Sequence, residues 1–97
     1  MNERAGVELL DRALELDPQV ALRPEPFGAL AYHYGNRRLI FLKHPDMVAV
    51  AQQLGAHATL AATLEACHVA PNRWPSFATA FASLISSEVI RERPSTR

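Results

Sequence analysis

The stretch Phe27-Gly28-Ala29-Leu30-Ala31-Tyr32-His33-Tyr34-Gly35-Asn36-Arg37-Arg38-Leu39-Ile40-Phe41-Leu42 decides the fold, because it keeps a period of two on either side of one turn. Leu30, Tyr32 and Tyr34 fall on one face and Ala29, Ala31 and His33 on the other, as a pleated strand requires. Gly35-Asn36 supplies residues that tolerate positive φ and predicts a tight hairpin turn. Arg37 to Leu42 then returns as a second long strand, with Leu39 and Phe41 on one side and Ile40 and Leu42 on the other. A strand that is apolar on both sides is expected to need cover on both.

Upstream, Val20-Ala21-Leu22 reads as a short strand ended by Pro24-Glu25-Pro26, whose prolines donate no ladder hydrogen bonds. Residues 1–17 hold five acids against two bases, and Val7, Leu10, Ala13 and Leu14 have the spacing of a short amphipathic helix broken at Asp17-Pro18. A frayed arm over residues 1–18 is the competing reading, since terminal segments order only when docked.

Downstream of Lys43 the period shifts toward 3.6. Pro45 and Asp46 suit a first helical turn, Met47, Val50, Ala51 and Leu54 form one stripe, and Gly55 is placed to end the helix. Thr59 is the predicted N-cap of a second helix from Leu60 to Cys67. A third helix is predicted from about Pro75 to Ser87, with Phe77, Phe81 and Leu84 as its stripe, Trp74 packing just before it, Val89-Ile90 as a last extended piece and 91–97 as a solvated tail. The expected architecture is α+β: a small three-stranded antiparallel sheet followed by three short helices, winged-helix-like, in one domain over 1–97.

Composition bounds function. Ten basic and ten acidic side chains cancel in a chain of 97 residues, whereas a protein that neutralises phosphates carries a basic excess. The third helix, which a winged-helix DNA reader would place in the major groove, holds no Arg or Lys between Pro75 and Ser87. Arg37 and Arg38 at the hairpin tip keep a nucleic-acid-binding wing as the alternative. The zero is a sum of unlike parts, since residues 1–25 carry six acids and three bases and residues 26–97 four acids and seven bases. No apolar run approaches the roughly 20 residues of a membrane span, and residues 1–4 open a charged stretch rather than a signal sequence, so a soluble, cytoplasmic protein without a membrane partner is expected.

Catalysis has no supporting constellation. Cys67 precedes His68, but consecutive helical residues do not face each other, and a lone thiol reads as a small buried hydrophobe. His33, His44, His57 and His68 have no partner at a ligand spacing, and the four glycines form no phosphate loop. No enzyme activity, metal or cofactor is expected. The open edge of the strand ending at Leu42, followed by an aromatic-rich helix, instead suits capture of a peptide as an extra strand. Phe77 and Phe81 would floor its pockets, or else belong to the core.

The run Leu22-Arg23-Pro24-Glu25-Pro26-Phe27-Gly28-Ala29-Leu30, followed by Tyr32, Tyr34 and Leu39-Ile40-Phe41-Leu42, resembles the mycofactocin precursor-peptide chaperone family. More broadly it is similar to the PqqD-like recognition elements of ribosomally made, modified peptides. Leu10-Asp11-Arg12-Ala13 and Asp17-Pro18-Gln19-Val20 also fit, and the similarity extends from about residue 10 to 90, leaving 1–9 outside. The resemblance implies a non-catalytic partner that binds the leader of a precursor peptide and presents it to a radical S-adenosylmethionine maturase. In this sequence the leader would lie along Arg38, Leu39, Ile40, Phe41 and Leu42, against a helix face of Phe77, Phe81 and Leu84. Cluster and cofactor would belong to the maturase, since the single cysteine here cannot hold an iron–sulfur cluster by thiolates.

Overall fold

The computed structural model describes residues 8–94, so the arm over 1–7 and the last residues of the predicted tail, 95–97, lie outside it. The described chain is α+β, with five strands and three α-helices. Strands β1 (Leu14–Leu16), β2 (Val20–Glu25), β3 (Gly28–His33) and β4 (Leu39–Leu42) come first. Helices α1 (Pro45–Gln53), α2 (Leu60–Ala66) and α3 (Trp74–Ser86) follow, and β5 (Ile90–Glu92) closes the order. β2, β3 and β4 form an antiparallel sheet in sequence order. No helix among the described residues is long and apolar enough to cross a membrane.

The segment before the sheet differs from the helix expected of it. Residues 8–9 are helical, but Leu14–Leu16 is a strand paired antiparallel with Ile90–Glu92. Alternation explains the change. Leu14 is fully buried, Glu15 points outward to an ion pair with Arg91 at 2.6 Å, and Leu16 again packs on the core. The partner strand begins in the extended piece expected at Val89-Ile90 but continues through Arg91 and Glu92, which were expected to open a solvated tail, and its pairing with Leu14–Leu16 is something a local pattern cannot show. Arg93 extends the tie, donating to the carbonyls of Gly55, His57 and Ala58.

Within the sheet, β2 continues through Pro24, past the end the sequence suggested. The bond from Tyr34 N to Gln19 O sets the alternation, so Ala21, Arg23 and Glu25 bond to β3 while Pro24 faces the free edge and sacrifices no ladder bond. The β3–β4 turn also departs from expectation. The left-handed residue is Arg37 (φ 63°), not Gly35 or Asn36. A Cβ at Gly35 would crowd the buried His33 ring and displace the end of the Gln19 side chain. Buried His33 holds the turn through Nδ1, which accepts from the amides of Gly35 (3.0 Å) and Asn36 (3.1 Å).

Ala29 and Ala31 on the inner face of β3 are small and fully buried, which lets Val50 and Ala51 of α1 approach the sheet closely. Phe81, Leu54, Leu60, Leu64 and Ile90 complete a core in which each large side chain contributes about 1.5–3 kcal/mol by leaving water. Thr59 caps α2 by accepting from Ala62 N, as its sequence position predicted, while the backbone carbonyls of Leu10 and Arg12 take two further amides of its first turn. Helix ends diverge from the glycine rule. Gly55 lies in a 3₁₀ turn without positive φ, and the left-handed residues that stop α2 and α3 are His68 (φ 62°) and Glu88 (φ 68°). In each case the next amide reaches back to the helix, Val69 N to Leu64 O and Val89 N to Leu84 O, as in a Schellman motif.

Two stability outcomes follow. Gly28 has φ 150°, and a Cβ there would collide with the Leu42 carbonyl oxygen, so Gly28→Ala is expected to cost more than about 2 kcal/mol in chemical denaturation. His68→Gly relieves a left-handed side chain at an exposed helix end and is expected to raise stability by about 1 kcal/mol in the same measurement.

Candidate functional site

The free edge of β4 is the accessible backbone that the site is built on. The bond from His33 N to Arg38 O sets the ladder, so Ile40 and Leu42 bond to β3, and the N–H and C=O groups of Leu39 and Phe41 point away from the sheet. Side chains sort separately. Ile40 is half-buried against the core and Leu42 is buried, whereas Leu39 (58% exposed) and Phe41 (60% exposed) stand on the outer face.

Past the end of this edge, on the helical side, where His44 follows the strand, lies a groove between α1 and α3. Its volume is about 300 Å³ and its walls are His44, Met47, Arg73, Ser76, Phe77 and Ala80. α3 begins with proline in its first turn and is steadied by Trp74, whose indole N–H donates to Val69 O at 2.9 Å. Phe77 and Ala80 come from one stripe of that helix. The Arg73 guanidinium sits 5.3 Å from the centre of the Phe77 ring and pairs with Asp46 at 2.9 Å, so it is held across the mouth of the groove.

The sequence model of the peptide chaperone MftB family matches residues 13–91. The chain belongs to that family. It is 39% identical over 86 residues to the peptide chaperone MftB of Mycobacterium ulcerans, covering 89% of this chain and 79% of the relative. The peptide chaperone MftB of Mycolicibacterium smegmatis is 40% identical over 80 residues, 82% of this chain and 78% of the relative. That of Mycobacterium tuberculosis is 61% identical over a shorter span of 44 residues, 45% of this chain and 40% of the relative. No solved structure matches the chain significantly. The relatives' name describes a non-enzymatic role.

The candidate residues therefore occupy three environments. Arg38, Leu39 and Phe41 are exposed on or near the edge strand. Phe77 is 6% exposed and its remaining surface lines the groove. Ile40, Leu42, Leu84 and the fully buried Phe81 pack in or against the core, and the Phe81 ring sits behind Phe77 at 6.3 Å, so Phe81 supports the groove wall without reaching its surface. His44, Met47, Arg73, Ser76 and Ala80 were not among the sequence candidates. Met47 and Ala80 carry a helical stripe that reads equally as core, and no local signal shows that α1 and α3 leave a gap between them.

Chemistry at Cys67 is muted. Its thiol is half-buried at the C-terminus of α2, and burial raises its pKa. A raised pKa leaves less thiolate at neutral pH, so Cys67 is expected to alkylate with iodoacetamide more slowly than free cysteine, by mass spectrometry, with the difference shrinking as pH rises above 9.

Proposed function

We propose that this chain is a peptide chaperone of mycofactocin biosynthesis that takes the leader of a ribosomally made precursor as an added strand on β4 and presents it to a radical S-adenosylmethionine maturase. The observation that carries the reading is the unpaired β4 edge that leads, at His44, into a largely apolar groove. The name of the relatives supports a peptide ligand. The nucleic-acid alternative gains nothing from the geometry, because α3 presents Ser76, Thr79, Ser83 and Ser86 to solvent and carries no Arg or Lys.

Magnitudes show why both edge and groove are needed. The amides and carbonyls of Leu39 and Phe41 offer four main-chain bonds, worth about 0.5–1.5 kcal/mol net apiece. Ordering a flexible leader costs roughly 2–5 kcal/mol, so main-chain pairing alone comes near balance. Apolar side chains placed against Met47, Phe77 and Ala80 would add about 1.5–3 kcal/mol each and turn balance into affinity.

Calorimetry with a synthetic leader peptide is expected to give micromolar or tighter binding, and none to duplex DNA at low salt. Leu39→Pro removes an outward-facing donor while leaving every β3–β4 bond intact, and is expected to weaken the leader by at least tenfold with an unchanged circular dichroism spectrum. Ile40→Pro is the poorer probe, since the Ile40 amide belongs to the sheet itself. Unaltered affinity in the folded Leu39→Pro variant would sink strand addition at this edge. The maturase's turnover of the precursor is expected to fall when the chain is withheld.

A further inference from the structure

The exposed large hydrophobic side chains among the described residues, Phe27, Tyr34, Leu39 and Phe41, stand on or border one surface, the outer face of the sheet. Phe27 and Phe41 meet edge to face at 5.7 Å. Together with Lys43 and His44 they line a second hollow of about 410 Å³. His44 also lines the groove with Met47 and Phe77, so the two depressions adjoin at the end of the β4 edge. One lies on the helical side of the sheet and the other on its outer side. No carboxylate among the described residues pairs with Lys43.

We infer that the edge reads its peptide from both sides: two adjacent residues of the added strand enter the two hollows, and an acidic neighbour meets Lys43. The inference rests on strand addition at β4 and specifies the segment that such an edge selects. An extended strand directs successive side chains to opposite faces. A residue turned toward the helices therefore meets Met47, Phe77 and Ala80, and the next, turned outward, meets the rings of Phe27 and Phe41. A segment with apolar residues only at every second position fills one hollow and leaves the other in water. The outer hollow is largely apolar, with the Lys43 ammonium and the His44 ring as its polar groups and no carboxylate, so an aliphatic or aromatic side chain with Asp or Glu two positions along the same face complements it. A second copy of this chain is a poorer occupant of the outer face, because Arg23, Arg37 and Lys43 lie on or border it and would be brought together, with Glu25 already paired to Arg23.

Selection of a displayed library of random short peptides against the full chain tests this. Enriched sequences are expected to share an adjacent apolar pair with an acid close by. A selected peptide is expected to bind Phe41→Ser about tenfold more weakly, and Lys43→Glu to exchange the preference for acid against one for Lys or Arg. Both side chains are exposed, so unchanged melting temperatures keep these readings apart from unfolding. Enrichment of peptides apolar only at alternate positions, binding wild type and Phe41→Ser alike but lost in Leu39→Pro, would overturn two-sided reading and leave strand addition standing. Failure to enrich any peptide would overturn strand addition, and this inference with it.

Discussion

The register between β3 and β4 governs the rest of the molecule, and close contacts hold it at both ends. At one end Gly28 lies so near the Leu42 carbonyl that only hydrogen fits on its α-carbon. At the other, the His33 ring accepts two amides of the turn and keeps Gly35 tight against Gln19. A slip of one residue would send Ile40 and Leu42 into solvent and turn Leu39 and Phe41 into the core. It would also exchange the outward amides of Leu39 and Phe41 for those of their neighbours. The pairing that builds the core therefore sets which backbone groups remain available at the edge.

Helices cover only one side of the sheet, and the site follows from that asymmetry. Ala29 and Ala31 admit α1 closely, and Phe81 fills the space beneath α3. Phe77, one turn earlier, keeps a little surface at the groove, supported from behind by Phe81. The outer face keeps Leu39, Phe41 and Phe27 exposed although their residue types suit a core. The β1–β5 ribbon ties the two ends of the described chain and packs against α3 through β5, as a sheet separate from β2, β3 and β4.

Much of this was legible because the signals were local. Alternation over 28–34 and 38–42 marked β3 and β4, Thr59 marked the start of α2, and the Phe77, Phe81 and Leu84 stripe marked the buried face of α3. Other features were hidden because their cause lies far along the chain. Leu14–Leu16 is a strand only because Ile90–Glu92 pairs with it, and Pro24 is tolerated only because β2 is an edge. His68 and Glu88 end helices in a left-handed conformation usually left to glycine, and the residues that follow them, Val69 and Val89, are buried in the core.

The amino-acid sequence by itself determined the α+β class, the strand and helix periods, the absence of a catalytic grouping in its motifs and the family resemblance, since each is written in residue type and short-range spacing. Tertiary structure decided which face of β4 is covered, which of its amides point outward, and that His44, Met47 and Arg73 join Phe77 around a groove. The physical reason is that an open edge and a gap between helices are defined by what fails to pack there, and packing is settled among residues distant in the chain.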